Sequence, residues 1–140
     1  MTPGAHFPRL TAENHRITSP ATSDYNCVAW AAGDTGHWWQ PGVYWPVEGA
    51  ADDYGIAALE DAFKRLGYMA CEDATLEPGF EKVALYGNSV FYTHAARQLP
   101  NGKWTSKLGR EEDIEHDNPE AVAGGDYGPV VQYLKRPLST

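Results

Sequence analysis

His94-Ala95-Ala96-Arg97-Gln98-Leu99-Pro100-Asn101-Gly102-Lys103-Trp104-Thr105-Ser106 reads as two strands folded back on each other. The turn between them, Pro100-Asn101-Gly102, has two readings. A two-residue Asn-Gly loop sets Arg97 opposite Ser106 and puts His94 and Ser106 on different faces. A three-residue loop consists of a type I turn followed by a residue with positive φ. Pro100, Asn101 and Gly102 each suit their slot in it, so it is the better match. Leu99 then faces Lys103, Ala96 faces Ser106 and His94 faces Leu108. His94, Ala96 and Ser106 share one face, with Ser106 diagonal to His94 and close enough to orient its ring. The plainer reading of Ser106 is a hydroxyl satisfied by backbone or water.

Working outward, strands are expected at 68–71, 82–86, 90–99, 103–108 and 130–135. Ile56, Leu59, Phe63 and Leu66 fall at helical spacing, with Asp52 or Asp53 as a cap and Gly67 as a stop. An earlier short helix ends at Gly33, with Ser23 or Asp24 as its cap. Residues 1–21 read as an extended arm and 22–140 as a single domain. Residues 34–52 form a long loop holding Trp38, Trp39, Tyr44 and Trp45. Residues 110–128 read as acidic and irregular. Two helices followed by about five strands give an α+β class with a mostly antiparallel sheet.

The 140 residues carry eleven Lys and Arg against nineteen Asp and Glu, a formal charge of −8. That argues against nucleic-acid binding, which needs a basic face, and against anionic membranes. Two cysteines, Cys27 and Cys71, are too few for a stapled scaffold. The N-terminus lacks the basic and apolar regions of a secretory signal, so a cytoplasmic protein is expected. Cys27 lies in Tyr25-Asn26-Cys27-Val28-Ala29-Trp30, in the first turn of a helix. A helix N-terminus favours a thiolate, and a histidine can hold or take its proton. His37, His94, His116, Asp113 and Asp117 could supply metal ligands, but no HExxH or CxxC spacing exists. No cofactor is expected.

Three motifs together resemble the NlpC-type and CHAP-type branches of the papain-like cysteine peptidases and amidases. Asn26-Cys27-Val28-Ala29-Trp30 is similar to their cysteine helix. Leu76-Glu77-Pro78-Gly79 and the strand after it resemble their Pro-Gly turn. His94 through Trp104 resembles their histidine strand, turn and return strand. The resemblance implies a papain-like single domain, with the cysteine helix and a second helix packed on about five strands. It also implies hydrolysis of an amide, peptide or ester bond. Cys27 would be the nucleophile, His94 the base and Ser106 the orienting residue. The N–H of Cys27, with Asn26 or Tyr25, would hold the oxyanion. Apart from the resemblance, aromatics in a Pro/Gly-rich loop often form a cleft wall, so Trp38, Trp39 and Trp45, with Trp30, are candidates to line the peptide or amide substrate; the plainer reading is a loop pinned onto the core by its own rings. The alternative is a non-catalytic binding, immunity or adaptor protein whose Trp-rich loop recognises a protein partner.

Overall fold

Val83-Ala84-Leu85-Tyr86 is apolar without alternation, the pattern of a strand covered on both faces. It forms an interior strand of a sheet. The structure, a computed structural model, describes residues 8–9, 11, 13–19, 25–33, 36, 39, 55–88, 90–107, 113–125 and 127–138. Its elements run β1 (His15–Ser19), α1 (Cys27–Ala32), α2 (Ile56–Arg65), β2 (Met69–Cys71), β3 (Phe80–Gly87), β4 (Tyr92–Gln98), β5 (Trp104–Lys107), β6 (Asp113–His116), a 3-10 turn (Pro119–Val122) and β7 (Val130–Pro137). The strands make one seven-stranded sheet in the order β1-β6-β5-β4-β3-β7-β2, with every pairing antiparallel.

This corrects the expected papain-like α+β fold of about five strands. The chain builds a seven-stranded antiparallel sheet with two short α-helices. The added strands are β1, within the segment read as an arm, and β6, within the segment read as irregular. Both are short and polar; β1 pairs with β6, His15 opposite His116 and Ile17 opposite Ile114, and β6 lies between β1 and β5. Strand propensity measures fit to a half-buried surface, and these sequences show that fit only beside their partners.

Two layers cover the sheet. On one face α1 packs on β4 and β5, and α2 packs beside β3. Val28, Ala29, Leu59, Phe63, Val83, Leu85, Ala95 and Leu134 form the core there. On the other face Tyr86, Ala96, Trp104, Ile114 and residues 121–123 form a second core under the 3-10 turn. Strand alternation assigns the faces: Val83 and Leu85 point to the helices, Ala84 and Tyr86 to the turn. Asn26 caps α1 by accepting from the Ala29 N–H, and Gly33 ends it with φ 87°. Gly55 precedes α2 without a side-chain cap bond. The caps expected at Ser23, Asp24, Asp52 and Asp53 lie outside the described residues. Among the described residues no helix is long and apolar enough to cross a membrane.

The Pro100-Asn101-Gly102 loop has the three-residue form. Leu99 N–H donates to Lys103 O at 2.7 Å, and Gly102 takes φ 87°. Arg97 faces Thr105 and Gln98 faces Trp104. At the other end of β4 the register with β3 shifts between Tyr86 and Gly87. The return chain comes so close there that a Cβ on Gly87 would sit 2.2 Å from Phe91 O. Gly87→Ala should therefore lower stability by ~2 kcal/mol or more. A urea midpoint equal to that of the wild type would contradict this packing.

Candidate active site

Cys27 is the first residue of α1, where backbone N–H groups lack intrahelical acceptors. Its position is set by Asn26. Asn26 Oδ1 accepts from Ala29 N–H at 3.1 Å and from Trp39 N–H at 3.2 Å, and its Nδ2 donates to Trp39 O at 2.6 Å. One side chain thus ties the helix start to the loop beyond it.

The thiol lies against the backbone N–H groups of Ala95, Val28 and Cys27 itself. Ala95 is available for a reason of register. Leu99 and then Arg97 face β5 along β4, so alternation turns the N–H of Ala95 the same way. The β4–β5 register ends at Arg97 opposite Thr105, because β5 continues along β6. In the resulting fork the Ala95 N–H meets the sulfur. Burial pushes the Cys27 thiol up to about 11, against the opposing pull of these amides and of Lys107. The residue as a whole is part-exposed while its sulfur is enclosed.

His94 lies in the layer under the 3-10 turn, fully buried. Its ring stacks on Tyr127 at 3.9 Å and meets Tyr86 edge-on at 5.0 Å. His94 Nε2 is 3.0 Å from Ser106 Oγ, and Ser106 Oγ is 2.8 Å from His116 Nε2. His116 Nδ1 is 2.7 Å from Asn118 O. The far end fixes the proton positions. A carbonyl only accepts, so His116 Nδ1 carries a hydrogen and its Nε2 is bare. Ser106 donates to that Nε2 and accepts from His94 Nε2–H. His94 Nδ1 is left as a bare lone pair, and it has no hydrogen-bond partner. Burial holds both rings neutral: His94 is pushed well below its ordinary range, first by desolvation and then by His116, and His116 falls to about 4.

Cys27 and His94 are therefore not hydrogen-bonded to each other. They approach the same point on β4, the thiol through the amide of Ala95 and the ring through the adjacent residue. Tyr25 and Asn26 are both engaged elsewhere, since the Tyr25 hydroxyl donates to Asp113 Oδ2 and the Asn26 amide serves Trp39. Trp30 stacks on Tyr25 at 5.3 Å and donates through Nε1 to Thr105 Oγ1 at 2.9 Å. Trp39 is buried in the helix-side core. Trp38 and Trp45 lie outside the described residues, as does His37. Among the described residues no three His, Cys, Asp or Glu side chains converge as metal ligands.

Sequence reasoning did not give His116 its part in the relay. Its signal was the alternation Ile114-Glu115-His116, which puts Ile114 and His116 on one face once β6 is recognised. Lys107 is buried with its ammonium 5.5 Å over the Tyr25 ring, on the other face of β5 from Ser106.

Residues 16–135 match a family described as a domain of unknown function, DUF7689. The chain belongs to that family. No curated protein and no solved structure gave a match. The DUF7689 segment begins in β1 and ends in β7, so it contains Cys27, His94, Ser106 and His116.

The neutral relay makes the stability of this DUF7689 chain depend on pH. An unfolded histidine takes a proton near pH 6.5, whereas folded His116 takes one only near 4 and His94 only well below its ordinary range. Below pH 6.5 the unfolded chain binds more protons. The contribution is thus complete above that pH and is lost as pH falls, at up to ~1.4 kcal/mol per pH unit for each histidine. Urea unfolding at pH 7.5 and pH 5 should show this fall, and His116→Gln should flatten it. Ring resonances of both histidines titrating near 6.5 would contradict the assigned tautomers.

Proposed function

We propose that the chain is a cysteine hydrolase acting on an amide, peptide or ester bond, with Cys27 as nucleophile and His94 as general base. One observation carries this reading. The His94–Ser106–His116 relay ends in a bare, unpartnered Nδ1 on the residue next to the amide that meets the Cys27 sulfur. A base needs a held ring and a free lone pair, and the relay supplies both. Only the fold expected by resemblance is set aside; the chemistry rests on these contacts.

The steps follow from the groups present. A substrate carbonyl enters the β4–β5 fork. The sulfur bonds to the carbonyl carbon as its proton passes to His94 Nδ1, a transfer that requires the ring, which has no hydrogen bond to the thiol in the free protein, to come within reach of it. The backbone N–H of Cys27, at the start of α1, supports the oxyanion. His94 then gives the proton to the departing amine or alkoxide, leaving an acyl group on Cys27. Water, deprotonated by His94, releases the acid and restores the thiol. Two free cysteines suit a reducing compartment such as the cytoplasm. The competing reading, a non-catalytic binding or adaptor protein, is favoured by the enclosed sulfur, since a thiol at about 11 is a weak nucleophile in the free protein.

Acyl trapping separates the two. With p-nitrophenyl acetate, mass spectrometry should find acetyl-Cys27 in the wild type, with Cys71 as an internal comparison. The rate should be level from about pH 7 to 9. His94→Ala should be slower by ~10²-fold or more at pH 7. Its rate should then climb tenfold per pH unit toward the thiol's own ionisation. Equal rates in the two proteins, or acylation of Cys71 alone, would refute the hydrolase.

A further inference from the structure

One cavity lies at the end of the sheet where β3 begins and β4 ends, and Cys27 is not among its lining residues. It has a volume of about 390 Å³, within the range of small-molecule sites. Its walls are largely apolar: Leu76, Pro78, Phe80, Leu99, Pro100 and Leu138. Three charged side chains also line it, Glu77, Glu81 and Arg97.

The two carboxylates are occupied. Glu77 bonds Lys135 at 2.7 Å and lies 3.7 Å from Lys82, and Glu81 pairs with Arg136 and accepts from the Tyr68 hydroxyl at 3.5 Å. Arg97 differs. Its guanidinium lies 5.5 Å over the Trp30 ring, and its Nε is buried with no hydrogen-bond partner. Among the described residues it forms no salt bridge. A buried guanidinium N–H without an acceptor is costly, and its planar fork matches the paired oxygens of a carboxylate or a phosphate. The chain as a whole carries −8, so this local unpaired cation is not part of a general basic surface.

We propose that this cavity binds a small apolar monocarboxylate, with the carboxylate on Arg97 and the hydrocarbon against Leu76, Leu99 and Leu138. Two features select a monoanion over a phosphate. One guanidinium supplies the positive contact, and Glu77 and Glu81 on the wall oppose a second negative charge. The site is independent of the proposed hydrolysis, because none of its lining residues belongs to the Cys27–His94–Ser106–His116 set.

Calorimetric titration of the full chain with octanoate and with octanol tests the assignment. Octanoate should bind saturably and at least tenfold more tightly than octanol. Arg97→Gln should weaken octanoate at least tenfold and leave octanol unchanged. Leu138→Trp, at a half-exposed rim position, should weaken both by narrowing the cavity. Cys27→Ala should bind as the wild type does, so failure of the hydrolase reading would leave this result intact. Absence of saturable octanoate binding, equal binding of octanol, or octanoate binding unaffected by Arg97→Gln would each overturn the proposal. If Arg97→Gln does not fold, Arg97→Lys takes its place. It keeps the charge but has no Nε, and wild-type octanoate affinity there would likewise overturn the proposal.

Discussion

The hydrogen-bond chain from Asn118 O through His116 and Ser106 to His94 is the constraint on which the site depends. It crosses three neighbouring strands, β6, β5 and β4, so it exists only in one register of each pair. A slip of one residue would turn Ser106 to the helix layer and strand two buried imidazoles without partners. Each buried polar group left unsatisfied costs ~1–3 kcal/mol. The three-residue turn at 100–102 therefore does more than reverse the chain, because it chooses the register in which the relay closes. The Asn118 side chain works at the same corner. It caps the 3-10 turn by accepting from Ala121 N–H at 3.0 Å while its carbonyl holds His116.

The fork beyond Arg97 and Thr105 has a similar double consequence. Where β5 stops pairing with β4, the N–H of Ala95 loses a strand acceptor. The Cys27 sulfur takes that place from the layer above. A thiol is a weak acceptor, but it spares a buried amide from having none. Cys27 thus closes a gap in the sheet while standing beside the histidine strand. The Asn26 side chain, with three hydrogen bonds, holds it at that height.

Local chemistry made part of this legible in the sequence. The turn Pro100-Asn101-Gly102 fixed the β4–β5 register because each residue suits one backbone conformation, and from that register the His94–Ser106 contact follows. The five expected strands correspond to β2, β3, β4, β5 and β7, and the apolar spacing of α2 announced its buried face. The rest depends on pairing distant in sequence. β1 and β6 are polar strands of five and four residues, and they are marked by pairing, β1 with β6 and β6 with both β1 and β5. Without β6 there was no means of bringing His116 to Ser106, and residues 113–116 read as part of the acidic, irregular segment 110–128. Asp113 is in fact fully buried, tied to Tyr25 on the helix-side face of the sheet. The order of cysteine, Pro-Gly turn and histidine strand suggested a fold that the seven-stranded sheet does not support, because such motifs describe a site and its immediate strands, not the sheet edges.

The identity of the third residue sets the character of the proposed chemistry. A carboxylate beside His94 would raise the basicity of the ring and favour a preformed thiolate–imidazolium pair. Ser106 is neutral, and the relay behind it ends on a backbone carbonyl, so nothing anionic supports a charged His94 from that side. Burial adds to this, holding the imidazole below its ordinary range and the thiol up at about 11. Proton transfer from sulfur to Nδ1 in the free protein is strongly uphill. In the proposed reaction it becomes accessible only as the sulfur bonds to a carbonyl, when the negative charge moves to an oxygen beside the N–H groups at the start of α1. The site would then work as a serine hydrolase does, by general-base assistance at the moment of attack. Its thiol would stay neutral between turnovers, protected from the electrophiles and oxidants that consume a standing thiolate.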